Sequence, residues 1–227
     1  MKLLAVDTAR REGSIALLRD GAAVAEVSLG TGPGFGETLF QSIQALLSEH
    51  SLALSDLDGY AAATGPGSFT GIRVGLAAAK ALAETSGKPI IGVSNLRALA
   101  SMARGAAVRV PVLDARRGGL FAGFYDADTT PIRPDMFCDW TGLEPELERL
   151  SATLVSNERE LFAAGGGLAA APVTACQTAP TALAAAVARL AAGELAAGRA
   201  GKPEEVDANY IRRPNARLPL PPQPAKR

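Results

Sequence analysis

One stretch, residues 64–75 (TGPGSFTGIRVG), constrains the fold more than any other part of the chain. Four glycines and a proline fall within its twelve residues. A β-like run at 59–64 leads in, and an alanine-rich helical pattern at 72–86 leads out. Glycine at a strand-to-helix turn permits positive φ and close approach of backbones. Such a turn also aims free N–H groups along the helix axis, which favours an anion there. The spacing is neither GxxxxGK(S/T) nor GxGxxG, so neither of those phosphate-binding mechanisms carries over. The turn therefore either seats a helix by packing or holds a ligand or phosphate.

Composition excludes several functions. Lys plus Arg equals Asp plus Glu, 23 each, so no broad electrostatic footprint exists for tight nucleic-acid binding by this chain alone. The two cysteines, Cys138 and Cys176, form neither a disulfide framework nor a zinc pattern, and a reducing compartment fits. The start, MKLLAVDTARREGS, reads as a short strand interrupted by Asp7 rather than a signal peptide. No run approaches the ~20 apolar residues that a membrane helix needs, and a cytoplasmic location without membrane contact is expected. The single histidine, His50, rules out a multi-histidine metal site within the chain, and no metal ligands are expected.

The chain has a clear rhythm. An apolar strand ends in Asp7-Thr8, a hairpin follows around Asp20-Gly21, and residues 37–50 place Leu39, Phe40, Ile43, Leu46 and Leu47 on one helical face. After the glycine turn and its helix, Gly87 and Pro89 stop the helix, Ile90–Val93 is a buried strand and Ser94 caps a helix to about Ala103. The second half restarts the pattern: a strand to Asp114, a turn at Arg116–Gly119, and a partner strand to Tyr125. A strand-Asp-turn-strand unit thus occurs twice, an internal duplication. It divides the chain into residues 1–104 and 105–213, each an α/β unit, with a proline-rich tail at 214–227 expected to be extended or disordered. Residues 126–179 are less regular, with a short strand at Leu154-Val155, a helix at 157–164 and a strand at 172–175; a helix carrying Leu183, Val187 and Leu190 follows.

Asp7 and Asp114, each at a strand end, are the candidate carboxylates; two such acids facing one cleft hold a magnesium-nucleotide, whereas singly each accepts hydrogen bonds from its own turn. Gly65, Gly67 and Ser68 would complete a nucleotide or phosphate loop, although Ser68 before a helix is also an ordinary cap. Arg116 and Arg117 either clamp a phosphate or sit solvated, and Gly165–Gly167 either approach an adenosine or form a loop. The helices at 37–50 and 72–86 either cover their own sheet or offer a partner surface made of Leu39, Phe40, Ile43, Leu47, Ile72, Leu76, Ala79 and Ala83.

Four segments carry a resemblance: LAVDTA at 4–9, TGPGSFTGIRVGLAAAKALA at 64–83, GVSNLRALA at 92–100 and LDARRGGLFAGFYD at 113–126. Together they resemble the TsaB (YeaZ) family, the dimerisation subunit of bacterial tRNA threonylcarbamoyladenosine synthesis. The likeness is strong over residues 1–126 and loose beyond. It implies an actin-like ATPase fold (acetate and sugar kinase, Hsc70, actin) of two related βββαβαβα-type subdomains. It implies a non-catalytic scaffold that binds the catalytic subunit TsaD through the two helices, is joined by the ATPase TsaE, pairs with itself when alone, and meets tRNA only through the complex. No firmly bound cofactor is implied, beyond ATP or ADP at the complex junction. TsaD binds metal through paired histidines, which this chain lacks. The rival is an autonomous actin-like ATPase or phosphotransferase using Asp7 and Asp114. Two departures stand out. The first helix starts Gly34-Phe35-Gly36-Glu37 where the family often has a His-Ser-Glu-like start, and Asp7-Thr8-Ala9 replaces the DxG of active actin-like kinases.

Overall fold

The computed structural model describes residues 1–30, 35–158, 161 and 176–211. The 214–227 tail, the Gly165–Gly167 run, the strand expected at 172–175 and most of the helix expected at 157–164 lie outside the described residues.

The first sheet is built from β1 (Lys2–Asp7), β2 (Ser14–Arg19), β3 (Ala22–Ser28), β4 (Gly59–Ala63) and β5 (Ile90–Val93), in the order β3-β2-β1-β4-β5. Asp20 and Gly21, at φ 50° and 84°, make the tight β2–β3 turn, where positive φ gives the twist a two-residue hairpin needs. β1 runs antiparallel to β2 and parallel to β4, so its C-terminal end, at Asp7, opens toward the start of the helix after β4. β1 alternates strictly. Leu4 and Val6 face one core, with α1 (Phe35–Glu49) and α2 (Phe69–Ser86) laid over it; Leu3 and Ala5 face the other, under α5 (Ala184–Ala196).

The second sheet contains β6 (Arg109–Arg116), β7 (Gly119–Tyr125), β8 (Pro131–Cys138), β9 (Thr153–Ser156) and β10 (Cys176–Thr178). Its order, β8-β7-β6-β9-β10, repeats the first, with the same antiparallel and parallel pairings. The duplication seen at Asp7 and Asp114 is therefore a duplication of whole sheets, the actin-like ATPase architecture. Among the described residues, β8 and α4 (Trp140–Leu150) went unseen in the sequence, and β10 lies just beyond the strand expected at 172–175. β8 carries Pro131 and Pro134, which an edge strand tolerates because one row of its N–H groups needs no partner. α4 holds Pro145 in its interior, yet Asp139 caps it through Gly142 N–H at 2.9 Å, and Leu143 and Leu147 anchor it on the sheet.

The short helix α3 (Asn95–Ala100) follows the first sheet in sequence but packs on the second, through Leu96 and Leu99 against Leu113 and Val155. Conversely, α5 comes from the second half and packs on the first sheet. Ser14 and Glu26 of that sheet accept the first free N–H groups of α5, from Ala184 and Ala185, at 3.1 and 2.9 Å. A carboxylate there also complements the helix dipole. An Arg97–Glu194 ion pair at 2.8 Å ties α3 to α5 between the sheets.

Glycine fixes where α2 lies. Gly71 and Gly75, four apart, share one face of α2, and with Gly67 just before the helix they rest on the Thr8-Ala9 segment leaving β1. A Cβ at Gly67 or Gly71 would come 2.2 and 2.1 Å from the carbonyl oxygens of Ala9 and Thr8, and one at Gly75 2.3 Å from Thr8 Oγ1. Gly193 in α5 meets nothing within 4 Å. Gly71→Ala should therefore destabilise by ~2 kcal/mol or more through overpacking against immovable backbone, while Gly193→Ala should stabilise by up to ~1 kcal/mol on helix propensity alone. Chemical denaturation of the two variants reads both; equal effects would mean that α2 is not seated by its glycines.

Candidate functional site

The glycine turn is a packing device. Ser68 N–H donates to Ala9 O at 2.6 Å, Thr8 Oγ1 to Gly71 O at 2.7 Å, and Ser68 Oγ accepts from Gly71 N–H at 3.2 Å as the α2 cap. Gly65, at φ 99°, exchanges hydrogen bonds with Asn95: its N–H donates to Asn95 Oδ1 and its carbonyl accepts from Asn95 N–H, both at 2.8 Å. The Asn95 amide then reaches Asp7 Oδ1 at 3.1 Å, which also accepts from Ala9 N–H at 2.9 Å. Asn95 is fully buried, and this hub joins the end of β1, the glycine turn and the start of α3. It was not legible in the sequence, because its partners lie 30 and 88 positions away.

The strand-end acids do not face one another across a ligand space. Asp7 is 1% exposed and lies within that hub. Asp114 accepts from its own turn, Arg116 N–H, at 2.7 Å, and pairs with the exposed Arg116 guanidinium at 3.5 Å. A cavity of about 370 Å³ does open between the sheets, lined by Gly67, Ser68 and Asp114 among the expected loop residues, and by Arg10, Arg11 and Glu158, which sequence reasoning passed over. Gly65 and Asp7 are not in its wall. The segment after α5 closes the far side of the glycine turn. Asn209 N–H donates to Thr64 O at 2.8 Å, and Tyr210 packs on Phe69 with Arg73 stacked against the Phe69 ring.

The helical stripe read as a partner surface lies mostly inward. Leu39, Ile43, Leu47, Ile72, Leu76, Ala79 and Ala83 fill the core between α1, α2 and the first sheet, each at most 6% exposed. Two adjacent helices on one sheet face need that whole stripe to cover β1, β2 and β4. A charge at Leu39 or Leu76 would accordingly unfold the chain rather than only disturb an interface. Phe40 alone of the set points outward, 48% exposed. Beside it, Gln44, Leu52, Leu54 and Leu82 line a groove of about 410 Å³ between α1, α2 and the turn at 52–54. Its lining contains no charged side chain. Among the described residues no group of acids, histidines and cysteines could hold a metal ion, and no helix is long and apolar enough to cross a membrane.

A family model described as TsaD, tRNA N6-adenosine threonylcarbamoyltransferase, matches residues 33–195. The tRNA threonylcarbamoyladenosine biosynthesis protein TsaB of Bacillus subtilis (strain 168) is 33% identical, over 66% of this chain and 68% of its own length. The protein of the same name from Escherichia coli (strain K12) is 34% identical, over 64% and 61%. A solved structure of YeaZ from Pseudomonas aeruginosa aligns with a TM-score of 0.74 at 24% identity, covering 92% of this chain and 99% of that one.

Burial pushes the Asp7 carboxyl above the usual carboxylate range, against the opposing pull of Ala9 N–H and the Asn95 amide. A raised native pKa means that the folded chain takes up this proton before the unfolded chain does. Its contribution to stability is complete below the ordinary value of 3.8 and is lost as pH rises through the raised value. Relative to Asp7→Asn, the parent chain should therefore gain in Tm as pH is lowered from about 7 to about 4. A difference in Tm that does not change with pH would show that Asp7 titrates normally.

Proposed function

This chain belongs to the TsaB (YeaZ) family, and on that premise we propose that it is a non-catalytic scaffold subunit within tRNA threonylcarbamoyladenosine biosynthesis. The catalytic subunit TsaD docks on the outward face of α1 and α2, and the ATPase TsaE joins the pair. Transfer of threonylcarbamoyl to N6 of the adenosine beside the anticodon, in tRNAs reading ANN codons, is then the work of TsaD. tRNA meets this chain only through the complex, two copies share the same face when TsaD is absent, and any ATP or ADP lies at the junction between subunits.

The observation that carries this proposal is the uncharged groove between α1 and α2. Phe40 and Leu54 are 48% and 38% exposed at its rim, and Ile43 and Leu47 floor it. Large apolar side chains around an uncharged groove are what helix-on-helix association desolvates. The acids argue in the same direction: Asp7 is buried in a structural hub and Asp114 is held by its own turn, so neither offers magnesium a free pair of oxygens.

The test is transfer of threonylcarbamoyl from its adenylate to tRNA by the TsaD and TsaE of the same organism, with and without this chain. Transfer should require this chain, which should transfer nothing alone. Phe40→Glu should weaken TsaD binding at least about ten-fold, as expected for an aromatic anchor in an interface. Its Tm should stay within a few degrees of the parent, because about half of the residue already faces solvent. Transfer that ignores this chain, together with hydrolysis of magnesium-ATP by the chain alone, would instead favour an autonomous phosphotransferase.

A further inference from the structure

The inter-sheet cavity has a feature that a scaffold role does not use. The duplication brings two equivalent hairpin turns to its wall: Asp7-Thr8-Ala9-Arg10-Arg11 after β1 and Asp114-Ala115-Arg116-Arg117 at the end of β6. Each strand-end Asp is thus followed by an arginine pair, and Arg10, Arg11 and Arg116 all line the cavity. Three arginines thus border the cavity in a chain with no net charge, Arg10 paired with Glu158 and the largely exposed Arg116 with Asp114. Such a cluster is a local trap for oxyanions, because each guanidinium presents a fixed fork of donors.

Two acids share the cavity. Asp114 is taken up by its own turn. Glu158, just beyond β9, behaves differently. Its Oε1 accepts from the Arg10 guanidinium and its Oε2 from the backbone N–H of Asp114. The Arg10 and Glu158 side chains are only 16% and 18% exposed. One guanidinium and one backbone N–H converging on the two oxygens of a single anion form the donor set that a phosphate or carboxylate ligand takes. We propose that Glu158 is a resident anion, occupying an oxyanion site built by Arg10 and the Asp114 amide and so keeping the cleft closed to phosphate-bearing molecules.

Placed there, Glu158 acts in two ways. It clamps the turn of the first sheet to β6 of the second, through contacts 148 and 44 positions apart in sequence. It also cancels the charge that would draw a polyphosphate to Arg10. Removing the charge while keeping the shape frees Arg10 to act with Arg11 and Arg116, and converts a closed cleft into a receptor.

The probe is inorganic pyrophosphate, titrated by calorimetry into the full chain and into Glu158→Gln, at a fixed ionic strength of about 0.1 M so that screening is constant. Glu158→Gln should bind it at least ten-fold more tightly than the parent, whose binding should be negligible. The double variant Arg10→Gln/Glu158→Gln should lose the gain. Equal affinity of parent and Glu158→Gln, or no gain in a variant shown to be folded by circular dichroism, overturns the proposal. Glu158→Ala provides a second route to the same gain. If neither variant folds, Glu158 is a member of the core and not an occupant of a site, and the proposal fails.

Discussion

The contact between the start of α2 and the backbone leaving β1 is what the rest of the molecule depends on. Gly67, just before the helix, and Gly71, in its first turn, let main chain lie on main chain at Ala9 and Thr8, and Gly75 one turn on makes room for the Thr8 hydroxyl. That approach has two consequences. It sets Gly65 directly over Asn95, so the hub that holds Asp7 and the start of α3 forms in one place. It also consumes the donor that a phosphate loop would offer, since Ser68 N–H goes to Ala9 O. A turn that resembles an anion cradle in one dimension is thereby a joint in three. Close backbone packing of this kind gives no margin for repacking, because a carbonyl oxygen cannot rotate away as a side chain can.

Much of this was legible in the residues. The apolar run of β1 ending at Asp7, the Asp20-Gly21 turn and the glycine stop at Gly87 are local signals, and local signals survive without tertiary knowledge. The repeated strand-Asp-turn-strand unit was visible for the same reason, and it anticipated two sheets of one topology. β8 and α4 were missed because proline is a strong breaker in sequence and a weak one in context: an edge strand spares the lost donor, and a well-capped amphipathic helix with buried leucines absorbs it. Leu143, Leu147 and Leu150, at i, i+4 and i+7, were the signal that would have found α4.

The site was less legible, for a physical reason. Periodicity says which residues share a face, not what the face meets. Leu39 and Phe40 are neighbours in sequence, yet one is buried against the sheet and the other is half in solvent. Only the packing of two helices on one sheet decides between them. Asn95 and Glu158 are further from view still, since each acquires its meaning from partners tens of residues away. No composition or spacing in the chain marks either one.

The exchange of α3 and α5 between the sheets bears on what the duplicated fold can do here. In a duplicated cleft, chemistry needs lone pairs that point at a ligand and lobes that can part. This chain commits Oδ1 of the buried Asp7 to Asn95 and Ala9, and Oδ1 of Asp114 to its own turn. It ties the sheets together through Arg97–Glu194 and Arg10–Glu158, while each half lends the other a helix. What stays in contact with solvent is the groove between α1 and α2, where Phe40 and Leu54 are exposed and the lining carries no charged side chain. An apolar groove of this kind suits association with another apolar surface, because covering it strips water from large hydrophobic side chains and leaves no unpaired charge behind.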